Sequence, residues 1–442
     1  MSEYSDYFVV RGKDVSKSAR DYLSGLLGTE RRKNMEGIHG DIPQSNYQAI
    51  QQFISDSPWD QDALMDQVAR DAGGILGGHP RSCLILDETT FIKKGDNSVG
   101  VQRQYCGRLG KTENCQMGVF ACLGLGNKAC VIDYRLFLPE SWATDAARCD
   151  KAQIPKDRRE HRSKQELALE MVKAAHERGV SFGWVLADAA YGSSQDFRRE
   201  VEDLGYLYLM DVISTNRVWD ADPEPKEPES SGKSGRPSKR HEQTNPKAKK
   251  RKAGEWVAAQ FPSQAREVCI RKTTQGELRA RVWVAEVWIW DEGAASRPER
   301  RTLVAREHDD GEIKISLTNA PAGTSWEELA YMQAQRHWIE RTFQDAKSEL
   351  GMAQYEVRKW RGWHHHMALV SLAMLFVLKE RIAHSDSVPL LSTRDIVELL
   401  TYYLPRRGGT EEEVYHDLLR RHRQRNQAAI NHASTQRKRL DT

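Results

Sequence analysis

An α/β protein built on a mixed sheet is what this sequence predicts, on three observations. Apolar, strand-forming runs begin abruptly at residue 82 with SCLILDETTF. A helix with its own start signal, SKQELALEMVKAAHER, separates these runs from a further one at FGWVLADAAYG. Period-two alternation then returns from REVCIRKTT onward, so a second set of strands interrupts the order of the first.

Taken in order, residues 1–80 read as short amphipathic helices, VSKSARDYLSGLLG, QSNYQAIQQFI and WDQDALMDQVARDAGGIL, parted by turns. Ser57-Pro58 separates the last two, because a residue ahead of proline disfavours the helical region. In 81–219, SCLILDETTF, QMGVFACLGLG and ACVIDYRLFLP make three antiparallel strands, the latter two joined at Gly126-Asn127. Ser163 followed by Glu166 is a capping box that opens the helix ending at Gly179. A buried strand ending at Asp188, a helix over 194–204 and the strand YLYLMDV follow. Three strands, helix, strand, helix, strand is the ribonuclease-H-like plan.

Residues 220–324 interrupt that plan with a Pro-, Gly-, Ser- and Lys-rich stretch, read as a flexible loop, and a β-rich insertion. The core resumes over 325–385, with one long helix from about Trp326 to Leu350 and a buried apolar helix after Trp363. A helical, basic tail fills 386–442.

Composition narrows the function classes. At 442 residues, with 39% hydrophobic and 29% charged residues, the chain is long enough for several domains and is of soluble globular type. Its longest apolar run, Met367–Leu378, falls short of the roughly 20 residues that cross a bilayer. The N-terminus has neither a basic start nor an apolar core for export, so a cytoplasmic location is expected. Seven scattered cysteines without a CxxC pair, among them Cys83, Cys122 and Cys130 in apolar runs, read as buried thiols. The net charge is only +3, yet residues 233–252 carry nine Lys/Arg against the single Glu242, and 420–442 carry seven against Asp441. Such clusters can release counterions from DNA phosphates; a solvated linker and a frayed tail are the bland alternative.

Three carboxylates stand out. Asp87 lies within or at the end of the first strand and Asp188 at the end of a later one, so both belong on one edge of the sheet, while Glu340 lies on the late helix. Hard carboxylate oxygens suit Mg²⁺. On that helix Arg336, Glu340 and Lys347 share one face, beside an apolar stripe of Met332, Ile339, Phe343, Ala346 and Leu350. A cationic pair flanking an acid suits a phosphate, and an ordinary surface Arg–Glu pair is the simpler alternative.

LDETTFIKKGDNSVGVQRQYCGRLGKTENCQMGVF, RLFLPESW, WVLADAAYG and RHWIERTFQDAKSELGMAQYEVRKW resemble the DDE transposases of bacterial insertion sequences, in the IS-seven-hundred-one subgroup of the IS-four-like class. The resemblance spans nearly the whole chain. It implies a catalytic triad and metal set of Asp87, Asp188 and Glu340, two Mg²⁺ per active site with Mn²⁺ as a substitute, and cut-and-paste movement of the element's own DNA. Double-stranded DNA, as transposon ends and target, is the implied partner, with a homodimer in the DNA complex and the N-terminal helices helping to recognise the ends. Those helices carry eight basic against twelve acidic residues, so recognition would rest on a patch such as Arg31-Arg32-Lys33. The class signature of Tyr, two residues, Arg, three residues, Glu, six residues, Lys is met at Arg336, Glu340 and Lys347, but Gln333 stands at the tyrosine position. The alternative from another class is a transposase-derived regulator that binds DNA without cutting.

Further DNA-contact candidates are Lys93, Lys94 and Arg103 after the first strand, Trp288 in the insertion, and the interleaved Arg358, Lys359, Trp360 and Arg361. Trp283 and Trp288 have opposite parity in one strand, so at least one packs inward. His364, His365 and His366 point in different directions on a helix and are not read as a metal site.

Overall fold

The computed structural model describes residues 2–10, 12–28, 32–226, 241–273, 276–292, 297–308 and 310–404, and the single positions 415, 419, 423 and 427. Residues 233–240 of the sequence-predicted basic stretch 233–252, and most of the tail, lie outside the described residues.

Four helices open the chain: α1 (Ser16–Gly28), α2 (Met35–Asp41), α3 (Tyr47–Ser55) and α4 (Gln61–Leu76). Asn34, Asn46 and Asp60 cap the last three, each side chain accepting from free amides of the first turn. A twelve-stranded mixed sheet follows. Its first half comprises β1 (Cys83–Ile92), β2 (Gln102–Cys106), β3 (Lys111–Leu125), β4 (Lys128–Leu136), β5 (Trp184–Ala187) and β6 (Leu207–Asp211). β1 pairs antiparallel with β3 and parallel with β5, β5 is parallel to β6, and β4 flanks β3. The spatial order is therefore β4-β3-β1-β5-β6. Cys83 to Leu86 are all buried, as a central strand covered on both faces requires.

Between β4 and β6 lie α5 (Lys164–Glu177), with both halves of the Ser163/Glu166 capping box formed, the one-turn α6 (Ala189–Gly192) and α7 (Gln195–Asp203). Beyond β6 the structure departs from the expected flexible loop. Short strands β7 (Arg217–Trp219) and β8 (Lys250–Lys252) pair, and α8 (Ala253–Gln264) follows. Strands this short and polar carry no readable period. The four long strands appear as predicted: β9 (Arg266–Thr273), β10 (Gly276–Ile289), β11 (Glu299–Glu307) and β12 (Ile313–Thr318). They are hydrogen-bonded into the same sheet, because β12 pairs antiparallel with β6 and sets Ser316 opposite Asp211.

The expected single helix over 326–350 is two, α9 (Trp326–Gln335) and α10 (His337–Glu349). Arg336 at the junction keeps helical dihedrals, φ −56° and ψ −31°, and its carbonyl accepts from Ile339, three residues on rather than four. α11 (Trp360–Ala383) is buried nearly all round from Gly362 to Leu375, and α12 (Thr393–Tyr403) follows. Among the described residues no helix is long and apolar enough to cross a membrane.

α11 seats the N-terminal helices on the sheet. Trp59, 2% exposed, stacks on His365 at 4.0 Å between ring centres and on Phe53 at 5.6 Å. All three histidines are core residues: His364 faces the Trp360 carbonyl, His365 those of Ile54 and Trp59, and His366 the Tyr22 hydroxyl. Burial pushes their pKa values down, to about 3, 4 and 3, so the rings are neutral. Trp59→Ala is expected to lower stability by about 3–5 kcal/mol, as for other buried aromatic truncations, and denaturant unfolding at neutral pH measures it.

Candidate active site

Two aspartates meet at the carboxyl ends of parallel strands. Leu86 and Ala187 form the last pair between β1 and β5, and Asp87 and Asp188 come next on each chain. β1 runs on past Asp87 to Ile92, so this carboxylate projects from mid-strand rather than from the strand's end. Asp188 caps α6, its Oδ1 accepting from the Ala190 amide at 2.9 Å. Asp87 accepts from the Glu88 amide at 2.8 Å. Burial, the Asp188 charge and Glu88 together push the Asp87 pKa from 3.8 up to about 8, against the lowering pull of Arg336. Asp188 is also raised, by burial first and then by Glu88. Two half-buried acids are thus both raised in pKa.

Arg336 supplies positive charge. Its guanidinium lies 3.0 Å from Glu340 Oε1, 3.2 Å from Asp211 Oδ2 and 3.8 Å from Asp87 Oδ2. The junction between α9 and α10 thereby brings Glu340, the third candidate carboxylate, to the same cation as Asp87. The predicted apolar stripe is buried, which lays α10 along the core with Arg336 and Lys347 turned towards β1. Lys347 Nζ donates to Thr89 Oγ1 at 2.6 Å and to the Thr90 carbonyl at 3.2 Å. Among the described residues, no three His, Cys, Asp or Glu side chains converge closely enough to hold an ion, and Arg336 stands between Glu340 and the aspartates.

Sequence reasoning missed the groups that hold Arg336. Asp211, at the end of β6, accepts from Ser316 Oγ at 2.6 Å, and Ser316 accepts from Gln333 Nε2 at 2.7 Å. Gln333 in turn accepts from Arg306 Nε at 2.9 Å. The glutamine at the class's tyrosine position is therefore a buried bridge between α9 and the β11–β12 hairpin. Glu88 was missed too; it accepts from Lys164 Nζ and from the Tyr191 hydroxyl, both at 2.6 Å. The available signals were an acid ending a second buried strand, YLYLMD, and an acid directly beside Asp87.

The other candidates lie apart from the carboxylates. Lys93 is half-buried, its ammonium 3.5 Å from the centre of the Tyr355 ring, and burial with Arg32 nearby lowers its pKa to about 7. Lys94 and Arg103 are exposed, Arg103 on β2 opposite Asn114. Arg358 is exposed, whereas Lys359 pairs with Asp56 at 3.1 Å and Arg361 donates to the Asp56 carbonyl at 2.9 Å. Trp360 packs on His364 at 4.2 Å. Trp283 is buried, its Nε1 donating to Gln264, and Trp288 packs half-buried against Trp219 and Trp290. In the N-terminal patch Arg31 lies outside the described residues, Arg32 pairs with Glu356 and Lys33 is buried, donating to the Leu26 carbonyl at 2.6 Å. Lys33 is therefore not presented to a partner there.

A large mixed sheet carrying two neighbouring aspartates on parallel strands makes this an α/β protein consistent with a nuclease fold. The model of the DDE superfamily endonucleases matches residues 9–277, and the chain belongs to that family. Asp87 and Asp188 fall inside the match and Glu340 beyond it. The chain is also 30% identical, over 225 residues, to a probable transposase for insertion sequence element IS701 from Microchaete diplosiphon. The shared stretch covers 49% of this chain and 55% of that protein, so the chain spans about half the length of this relative. The crystal structure of the NurA nuclease from Sulfolobus solfataricus aligns over 74% of this chain and 92% of its own, at 9% identity and a TM-score of 0.25, too slight a likeness to build on.

Proposed function

We propose that this chain is a cut-and-paste DNA transposase that binds the inverted ends of its own element, cleaves their phosphodiesters and joins the 3′ ends to target DNA. The observation that carries this reading is the neighbouring pair Asp87 and Asp188, half-buried and raised in pKa, each just past the last parallel pair between β1 and β5. The strand order β4-β3-β1-β5-β6, antiparallel on one side and parallel on the other, supports a ribonuclease-H-like core in which the later strands are an insertion.

The residues present fit divalent cations. All donors are hard oxygens, burial first and neighbouring carboxylates second raise the pKa values of both aspartates, and Arg336 supplies part of the opposing charge. Asp87, Asp188 and Glu340 would hold Mg²⁺ or Mn²⁺, two ions per site. Such a pair, when bound, activates the attacking oxygen and stabilises the leaving one. The chain's own groups prepare the ground. Arg336 offsets the carboxylates' repulsion and offers planar donors to a phosphate, Lys347 fixes a point charge beside Thr89, and the Glu88–Lys164–Tyr191 set steadies the strand next to Asp87. The reading includes a homodimer on DNA, each copy taking one end, and a cytoplasmic location.

The test is incubation of the full chain with its element's ends and Mg²⁺. Strand cleavage that disappears in Asp188→Ala, with DNA binding retained, is expected. Binding by the wild type with no cleavage under any divalent cation would replace this reading with a DNA-binding regulator.

A further inference from the structure

A small cavity lined by three cationic side chains and two carboxylates borders Glu340. Its volume is about 160 Å³, room enough for one phosphate group. Arg306 and His308, at the end of β11, and Lys314, at the start of β12, form one wall. His337 and Arg336, from the α9–α10 junction, form the other, and Asp211 and Glu340 close it towards the carboxylates.

We propose that this cavity is a phosphate subsite for the DNA strand, holding a phosphodiester next to the one that is cut. The inference rests on the transposase reading and adds a binding site to it. Three observations support it. Arg306 is only 9% exposed and is held in place from both sides, its Nε donating to Gln333 at 2.9 Å and its Nη2 2.9 Å from His308 Nε2. A guanidinium fixed this way is oriented before any ligand arrives, which lowers the ordering cost of binding. Lys314 has no acidic partner within ion-pair distance among the described residues, so its ammonium is available to an anion. His308 is lowered in pKa by burial first and then by Arg306 and Lys314, against the opposing pull of Asp310 and Asp211, which sets both cations close to its ring.

The position explains why such a site would serve cleavage. Glu340 borders the cavity and is ion-paired to Arg336, which also reaches Asp87, so a phosphate held here lies beside the cation that these carboxylates share. β11 and β12 belong to the stretch that interrupts the core's order, and this site gives that stretch a task in substrate positioning.

Two measurements on the full chain test it, each comparing wild type with Lys314→Ala and Lys314→Arg. In the first, melting is followed in inorganic phosphate and in chloride at matched ionic strength. Phosphate should raise the melting temperature of wild type and of Lys314→Arg, and should do so less for Lys314→Ala. In the second, affinity for a duplex oligonucleotide is measured against salt concentration without divalent metal. Loss of one phosphate contact should shallow the slope of log K against log salt by about 0.9 in Lys314→Ala alone. If Lys314→Ala misfolds, Lys314→Gln replaces it, since it keeps most of the stem. Equal phosphate effects and equal slopes in all variants would overturn the subsite. A phosphate effect lost in Lys314→Ala with no change of slope would make it an anion site off the DNA path and overturn the proposal as stated. Failure of the wild type to cleave its ends would sink the transposase reading and leave the phosphate measurement standing, so the two failures are distinguishable.

Discussion

Asp87→Asn should abolish strand cleavage and, at pH 8, make the metal-free protein more stable than the wild type. The cleavage loss follows from removing one of a set of groups that act as a unit, which costs orders of magnitude in rate. The stability gain follows from the sign of the pKa shift. The folded state holds the Asp87 proton up to about pH 8, whereas an unfolded chain releases it near 3.8. Between those values the folded state binds more protons, so stability falls as pH rises through that window and is fully retained only below it. Asparagine keeps the neutral shape and has no proton to lose, so its stability should lack this decline. Asp188, raised in the same direction, adds a parallel slope that Asp87→Asn weakens because the two charges repel. Unfolding of both proteins in EDTA from pH 5 to pH 9 checks the claim. Parallel curves would mean that Asp87 is not held protonated. The same linkage predicts that Mg²⁺ affinity rises from pH 6 to pH 8, because a binding ion must displace that proton.

The elements with strong local signals were legible from sequence alone. The capping box at Ser163, the apolar run at Cys83–Leu86 and the alternation in β10 and β11 each lie where the sequence places them, because one period and one cap decide them locally. Asp87 and Asp188 were legible for the same reason, since each follows a buried run. The hidden parts depend on pairing across long separations. Nothing in ISLT announces that Ser316 will lie opposite Asp211, 105 residues earlier, and that register creates the Ser316–Asp211–Arg336 chain. Nor does local sequence show the break at Arg336, because no glycine or proline marks it and the residue keeps helical dihedrals. Lys359 and Arg361 read as nucleic-acid contacts in sequence, yet their partner is Asp56, some 300 residues away.

Arg336→Ala should produce the largest loss of metal-free stability of any single change at the site. Its side chain is 14% exposed and serves Glu340, Asp211 and Asp87 at once. Its removal leaves Asp211 and Asp87, 13% and 14% exposed, without their cation, while the half-exposed Glu340 keeps its solvation. Deleting one partner of a fully buried pair costs about 3–5 kcal/mol, which sets the upper bound here. Two further results separate this explanation from simple loss of packing. Mg²⁺ should restore more stability to Arg336→Ala than it adds to the wild type, because in the wild type the guanidinium already offsets the charge an ion would neutralise. Adding Asp211→Asn to Arg336→Ala should recover part of the loss without metal, since it removes one orphaned charge while keeping the bond from Ser316. Cleavage by Arg336→Ala at saturating Mg²⁺ should still be lower by about a hundredfold to a thousandfold, the scale for losing one donor aimed at developing phosphate charge. Denaturant unfolding of the three proteins, with and without Mg²⁺, decides between the accounts. Equal Mg²⁺ effects and no recovery in the double variant would show that Arg336 acts by filling space, and the electrostatic role assigned to it would fall.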